Sequence, residues 1–413
     1  MAFRGQHDEA QATGSRGTHN PSRPLGTCQY QRKEIKGYYS TISPLHIEII
    51  MRRIQDFNNI KIAISSATKA TSEVAVVAEG DSLALLRKMP SHCVSLILTD
   101  PPYHSTKKKN IYGDTSFEED QHYLEWMKEY AVAWKHILKP NGSLFCFCSS
   151  QMAARLEIIL SEHFNVLSQI VWTKPNDPGF DGWKGKMKKE ALRQWYPHSE
   201  RILFAEPAVN GNLFRSPFAE LLRNCRHQTG MTMNELTAII GAHGKINHGG
   251  AVSNWEAGRN TPSRDQYQKL RAAILATSKV ASMPEYEDAI RVFTMDSSKE
   301  FTDVWNFPSV RPYKGKHPAE KPAELLEHAI KATTYPGDIV LDCFGGSGST
   351  AIAAINLQRL AVCMEIEPQW TSTIAARLRL NEVAGERQVV STQLNKSSQT
   401  QRKPGQLSLT VDV

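Results

Sequence analysis

The sequence predicts an α/β protein: a doubly wound sheet interrupted by a small helical insertion. Three observations carry this. Val94-Ser95-Leu96-Ile97-Leu98 is a continuous apolar run of strand length that stops at Asp100-Pro101-Pro102-Tyr103. Ile339-Val340-Leu341-Asp342-Cys343-Phe344 is a second such run, opening into Gly345-Gly346-Ser347-Gly348-Ser349-Thr350 and the helix-like Ala351-Ile352-Ala353-Ala354-Ile355. Between the two, strand-like and helix-like patterns alternate in the manner of βαβ units. Apolar runs without polar alternation suit strands covered on both faces, and open α/β sheets gather ligands at the carboxyl ends of such strands.

Taken in order, residues 1–72 read as an extension. About the first 25 are rich in Gly, Ser, Thr, Arg and His without an apolar leader, and Ser43 to Ile64 then shows helical periodicity. Residues 73–214 form the first half of the main domain. Val74 to Val77 is a strand running into Gly80-Asp81, with Ser82 placed to cap the helix Leu83 to Met89. After the Asp100 loop comes a polar stretch, His104 to Asp120, holding Lys107, Lys108 and Lys109. Gln121 to Leu138 has an amphipathic helical pattern that Pro140-Asn141-Gly142 ends. The strand Ser143 to Cys148, the helix Met152 to His163 and the strand Val166 to Thr173 follow, and Arg201 to Ala205 returns the chain to the sheet.

From Lys174 to Tyr196 the chain is basic and aromatic, a combination suited to phosphates and exposed bases; it includes Lys186, Lys188 and Arg193. Residues 215–278 read as the helical insertion. Residues 279–384 complete the main domain, re-entering at Val304 and reaching the helix Ala323 to Ala332 after His317-Pro318-Ala319-Glu320-Lys321-Pro322. Residues 385–413 form a polar tail.

Composition narrows the classes. A chain of 413 residues with 40% hydrophobic content supports one large domain plus an insertion. The net charge of +7 is a weak pointer to a polyanionic partner. Seven cysteines without paired spacing suit a reducing compartment, and a cytoplasmic protein is expected. Cys146 and Cys148 alternate onto one strand face as packing residues, no metal cluster is indicated, and no run reaches the ~20 apolar residues of a membrane span.

The chemistry sits at the two strand ends. Consecutive prolines remove two backbone donors and hold the loop extended, so it presents a carboxylate, bare carbonyls and an aromatic ring; such a loop suits a planar amino group. The glycine turn lets backbone approach a nucleoside closely, and Glu365, about 20 residues beyond Gly345, ends the next apolar run where a carboxylate binds ribose hydroxyls. The turn lacks a Gly-Lys-Ser/Thr ending, which argues against a nucleoside triphosphate. An adenosine-type cofactor without phosphates fits.

Four motifs in sequence carry a family resemblance: GDSLALL at 80–86, LTDPPY at 98–103, HPAEKP at 317–322 and LDCFGGSGST at 341–350. Together they resemble the β-class S-adenosylmethionine-dependent DNA amino-methyltransferases, over about residues 74–384 outside the insertion. The resemblance implies a Rossmann-like class I methyltransferase sheet, circularly permuted so that the catalytic half precedes the cofactor half. It implies S-adenosylmethionine as cofactor and double-stranded DNA as substrate. Asp100, Pro101, Pro102 and Tyr103 become the catalytic residues. Asp342, Phe344, Gly345, Gly346, Gly348, Thr350, Glu365, His317, Lys321 and Asp81 become the cofactor residues. Cys343 stands where the family often has Pro. Aspartate at position 100 favours adenine N6 over cytosine N4, whose enzymes more often resemble a Ser-Pro-Pro-Tyr pattern; a regulator that kept the fold without activity is a third reading.

The insertion resembles a repressor-type helix-turn-helix, with Thr232 capping its second helix and Ser253-Asn254-Trp255-Glu256 in its recognition helix. Its connection from Gly241 to Gly250 is longer than the usual turn. The insertion is expected to read the target, with DNA contacts from Ser253, Asn254 and Arg259, and further contacts beside the pocket are expected from Lys107, Lys108, Lys109, Lys186, Lys188 and Arg193. A homodimer and a cognate restriction nuclease stay open.

Overall fold

The computed structural model describes residues 44–382 apart from 105–116, 118, 176–187, 189, 191–192, 194, 196–197, 210–215, 243–249 and 296–300. Its strands are β1 Thr68–Thr71, β2 Ala75–Glu79, β3 Val94–Thr99, β4 Leu138–Cys148, β5 Phe164–Thr173, β6 Ser199–Pro207, β7 Val304–Asn306, β8 Ile339–Asp342, β9 Leu360–Glu365 and β10 Asn381–Glu382. Its helices are α1 Pro44–Ala63, α2 Ser82–Leu86, α3 Asp120–Ile137, α4 Ala153–Ser161, α5 Pro217–Thr229, α6 Met233–Ile240, α7 Gly250–Glu256, α8 Arg264–Ala276, α9 Tyr286–Ala289, α10 Ala323–Thr333, α11 Ser349–Asn356 and α12 Pro368–Leu378.

The strands join in one sheet, ordered β10-β1-β2-β9-β8-β3-β4-β6-β5-β7. The central run from β2 to β4 is parallel, and β6 enters antiparallel to both β4 and β5. Helices cover both faces, as the unbroken apolar strands require. Phe57 of α1, Leu83 of α2, Trp134 of α3 and Leu156 of α4 pack on one face; Leu326 of α10, Ala353 of α11 and Ile374 of α12 pack on the other. The doubly wound α/β sheet is thus as the sequence predicts. In β4 the alternation is complete: Cys146 and Cys148 enter the first core, Phe145 and Phe147 the second.

Two local expectations are corrected. The amphipathic pattern carries the helix only to Ile137; Leu138 is already extended (ψ 134°) and pairs with Val94, so β4 begins well before Ser143. Pro140, Asn141 and Gly142 fall where the β3–β4 register shifts, an irregularity that absorbs residues a regular ladder excludes. At the start of α2 the cap is Asp81, whose Oδ1 accepts from Leu83 N at 3.1 Å. Ser82 is buried instead, 2.7 Å from the Tyr130 hydroxyl.

The insertion is a helical unit with its own core, built from Leu222, Leu236, Trp255, Tyr267 and Ile274 among others. That core extends to Ile290, past the boundary expected at 278. Its helix ends are closed locally: Thr232 and Glu235 form a capping box on α6, Ser263 and Gln266 one on α8, and Gly230 and Gly241 end α5 and α6 in the left-handed conformation. The unit is anchored by Asn141 Nδ2, which donates to the carbonyls of Glu287 (2.7 Å) and Ile290 (3.2 Å), and by Arg291 Nε on Glu206 at 2.9 Å. Asn141 lies near the start of β4 and Glu206 near the end of the antiparallel β6. The anchor therefore lies at the amino-terminal edge of the parallel strands, opposite Asp100.

Candidate active site

Leu96 and Ile97 of β3 pair with Val340 and Leu341 of β8, which sets the residues after the two strands side by side. Thr99 Oγ1 donates to Asp342 Oδ1 at 3.0 Å and accepts from Cys343 N at 3.2 Å, locking the two ends together. All the expected catalytic and cofactor residues except Gly348 line one cavity of about 540 Å³, inside the ~300–1,000 Å³ range usual for small-molecule sites.

The cofactor side is set by the turn between β8 and α11. Gly345 N donates to Met364 O at 2.8 Å, and a Cβ there would meet Cys363 Sγ at 2.5 Å, so the turn lies flat on β9. Glu365 closes β9 and ties in three backbone donors: Gly346 N at 2.7 Å on Oε2, with Ile366 N and Glu367 N at 2.8 Å on Oε1. A carboxylate offers about four acceptor sites, so about one stays open for a hydroxyl. A bare glycine wall beside such an acceptor fits a nucleoside with a free ribose. Asp342 is pushed by burial up to about 7, against hydrogen bonds that hold it down. His317 packs edge-on to Trp370 and is driven by burial and by Lys321 down to about 4, so it is neutral at physiological pH.

Two expectations change in detail. Gly348 stays off the cavity; its φ of +76° starts α11, and a Cβ would press on Ile374 at 3.0 Å, so glycine is needed there for the turn and for packing. Lys321 points to the catalytic side, donating to Asp100 Oδ2 rather than standing free for a cofactor carboxylate. Asp81 lines the cavity and also caps α2. Cys343 is buried and its Sγ accepts from Trp134 Nε1 at 3.3 Å, a contact proline cannot make.

On the catalytic side Asp100 is raised by burial, with Lys321 opposing. Tyr103 donates its hydroxyl to Glu200 Oε2 at 3.0 Å. Glu200, at the start of β6, also receives Lys174 and has Lys321 Nζ at 3.6 Å. Burial pushes its carboxyl up, but Lys321 and Lys174 hold it below the ordinary range. Burial pulls the Lys321 ammonium down, yet Asp100 and Glu200 carry it above its ordinary value. Glu200 is the site residue that sequence reasoning missed. Its one signal is a carboxylate at the head of the otherwise apolar run Ile202-Leu203-Phe204-Ala205.

Of the expected DNA contacts, Lys107, Lys108, Lys109 and Lys186 lie outside the described residues. Lys188 and Arg193 are exposed, and Trp195 between them and β6 is 97% exposed. Ser253 and Asn254 lie on α7 at intermediate exposure, and Arg259 donates to Asn254 Oδ1 at 3.0 Å. Trp255 and Glu256 of the same helix are buried. Among the described residues no group of three or more His, Cys, Asp or Glu is placed to hold a metal ion, and no helix is long and apolar enough to cross a membrane.

Known proteins align with this arrangement. The chain is similar to the DNA adenine methyltransferase YhdJ of Escherichia coli (strain K12), 25% identical over 314 residues that cover 75% of this chain and 85% of that protein. It is similar to the type II methyltransferase M.PvuII of Proteus hauseri, 24% identical over 325 residues, 75% of this chain and 84% of that one. Among solved structures, the M1.HpyAVI–SAM complex covers 74% of this chain and 100% of its own at 21% identity and a TM-score of 0.43. The DNA methylase family model matches residues 94–376, a span that opens at β3 with the Asp100 loop and closes beyond the glycine turn and Glu365. With the Asp100 loop, the glycine turn and Glu365 inside a match that spans more than half of the chain, the chain belongs to the DNA methylase family and is a DNA methyltransferase that uses S-adenosylmethionine.

Proposed function

We propose that this chain methylates the N6 amino group of adenine in double-stranded DNA, acting on a base turned out of the duplex. The observation that carries the reading is the register of β3 against β8, which puts a carboxylate acceptor and the glycine turn on one cavity. S-adenosylmethionine supplies an electrophilic methyl group when bound, and Gly345, Gly346 and Glu365 are the residues that would hold its nucleoside. The rest is done by the chain. An exocyclic amine shares its lone pair with the ring, so it attacks poorly until hydrogen-bond acceptors hold its two protons and free that lone pair, and one of the protons leaves only once the N–C bond has formed. Asp100 and the Pro101 carbonyl are those acceptors, and Tyr103 offers a face for the extruded base. Holding the two reactants together accounts for as much as roughly 7–11 kcal/mol of the barrier.

Aspartate rather than serine at position 100 supports adenine. The exposed Lys188, Arg193 and Trp195 support a DNA-contacting role for the stretch from Lys174 to Tyr196, where phosphates and an unpaired base meet cations and an open ring. The helix-turn-helix reading of α6 and α7 is kept as a DNA-contacting proposal. Anchoring at the far edge of the sheet supports giving the bases next to the target to the Lys174–Tyr196 stretch instead of to Ser253 and Asn254. Nucleoside mass spectrometry of duplex DNA incubated with the protein and S-adenosylmethionine tests the reading: N6-methyladenine is expected, and N4-methylcytosine in its place overturns the choice of base.

A further inference from the structure

One ammonium serves two partly buried carboxylates in this site. Lys321 Nζ donates to Asp100 Oδ2 and lies 3.6 Å from Glu200 Oε2, while Asp100 Oδ1 is buried with no hydrogen-bond partner among the described residues. The rings of Phe147, Tyr103 and Trp172 surround the same Nζ at 5.1, 5.3 and 6.0 Å. Rings at these distances attract a cation without binding it to one spot. The arrangement weakens the chemistry proposed for Asp100: Oδ1 is open to an amino proton, but the cation on Oδ2 draws charge from the carboxylate as a whole, and charge-assisted hydrogen bonds are roughly twice as strong as neutral ones.

We propose that Lys321 is a displaceable counter-ion and that Glu200 is the anion that receives it: a target amino group entering the cavity takes the edge of Asp100, and the ammonium moves onto Glu200. The inference rests on the reading of Asp100 as the amino-proton acceptor. The move is short, since closing 3.6 Å to hydrogen-bond length takes about an ångström. No proton is transferred and no net charge changes; Lys321 keeps its three protons and exchanges one carboxylate for another. In the free enzyme the ammonium covers Oδ2 and opposes the upward push of burial on the Asp100 carboxyl. Tyr103 and Lys174 hold Glu200 in place through their own bonds to it. Glu200 is thus a positioning residue, acting on the reaction through Lys321.

The test is the pH profile of kcat/KM for methyl transfer by the whole protein. The groups facing Asp100 on β4 and its own loop, Cys146, Cys148 and Tyr103, are driven up by burial and stay protonated. His317 stays neutral, and Asp342 on β8, pushed by burial up to about 7, is retained in every variant. Activity needs ionised Asp100, whose pKa Lys321 lowers and Glu200 raises. The acid limb should therefore move up by about one pH unit or more in Lys321→Met and down in Glu200→Gln. Glu200→Gln should also raise KM for DNA roughly tenfold with a smaller effect on kcat, because the ammonium has nowhere to go; Glu200→Asp should restore most of it. Acid limbs that stay put, or move the same way, in folded variants overturn the proposal. Wild-type transfer by Asp100→Ala would instead overturn the reading beneath it. Should the variants not fold, a crystal structure of the wild-type protein on a target duplex decides: Nζ on Glu200 supports displacement, and Nζ still on Asp100 beside a seated amino group refutes it.

Discussion

Two glutamates, one buried and one partly buried, show how differently one chain treats charge in its interior. Glu256, in the helical unit anchored at the amino edge of the sheet, has 2% of its side chain exposed and is gripped by Arg226, Nε on Oε1 at 2.5 Å and Nη2 on Oε2 at 3.0 Å. Glu200, at the carboxyl edge, has 18% exposed and shares its oxygens among Tyr103, Lys174 and Lys321, the last of which it shares with Asp100. A planar guanidinium saturates one carboxylate in a set geometry, whereas an ammonium on a long stem is a point charge that moves between partners. The first arrangement stabilises a fold. The second leaves a charge ready to be displaced, which only a site that must admit another donor has reason to keep.

The largest effect expected from breaking this contrast is at the carboxyl edge. Asp100→Ala should lower methyl transfer roughly 10²–10⁴-fold while S-adenosylmethionine affinity, read by calorimetry, stays near wild type. At the other edge the effect should be on stability alone. Glu256→Ala leaves Arg226 without its partner, and breaking such a buried pair costs roughly 3–5 kcal/mol. The low end is expected because Arg226 reaches solvent, and denaturant unfolding should record it with methyl transfer by the folded protein unchanged.

Gly348→Val comes next, at about 1–3 kcal/mol. The side chain must take a left-handed backbone and press on Ile374, so the melting midpoint is the readout. The smallest effect sharpens the comparison. Replacing Ser253, Asn254 and Arg259 together by alanine should leave the sequence context of methylated bases, read by modification-sensitive sequencing, unchanged. A changed context would return target reading to α7.

The motifs at the two strand ends were legible because they are short-range statements. Two prolines restrict their own backbone, glycines permit a turn, and an apolar run of strand length is buried wherever it goes. The helix caps were legible for the same reason: Thr232 and Glu235 satisfy each other three residues apart, whatever surrounds them. Helix and strand limits were less so. Leu138 leaves its helix because Val94 offers it a strand partner, which no local pattern records.

What the sequence by itself determined is the inventory: which strands are buried, where the chain must turn, and which loop carries a carboxylate beside prolines. The tertiary structure alone decided what those groups touch. Lys321 reaches Asp100 across a separation of 221 residues, and Tyr103 reaches Glu200 across 97. Both meetings depend on β8 inserting between β9 and β3 and on β6 running against its neighbours. A charge on a strand reads as solvated until the register of the partner strands shows which other charges are buried with it. That register is set by the summed packing of two cores, far from the residues it brings together.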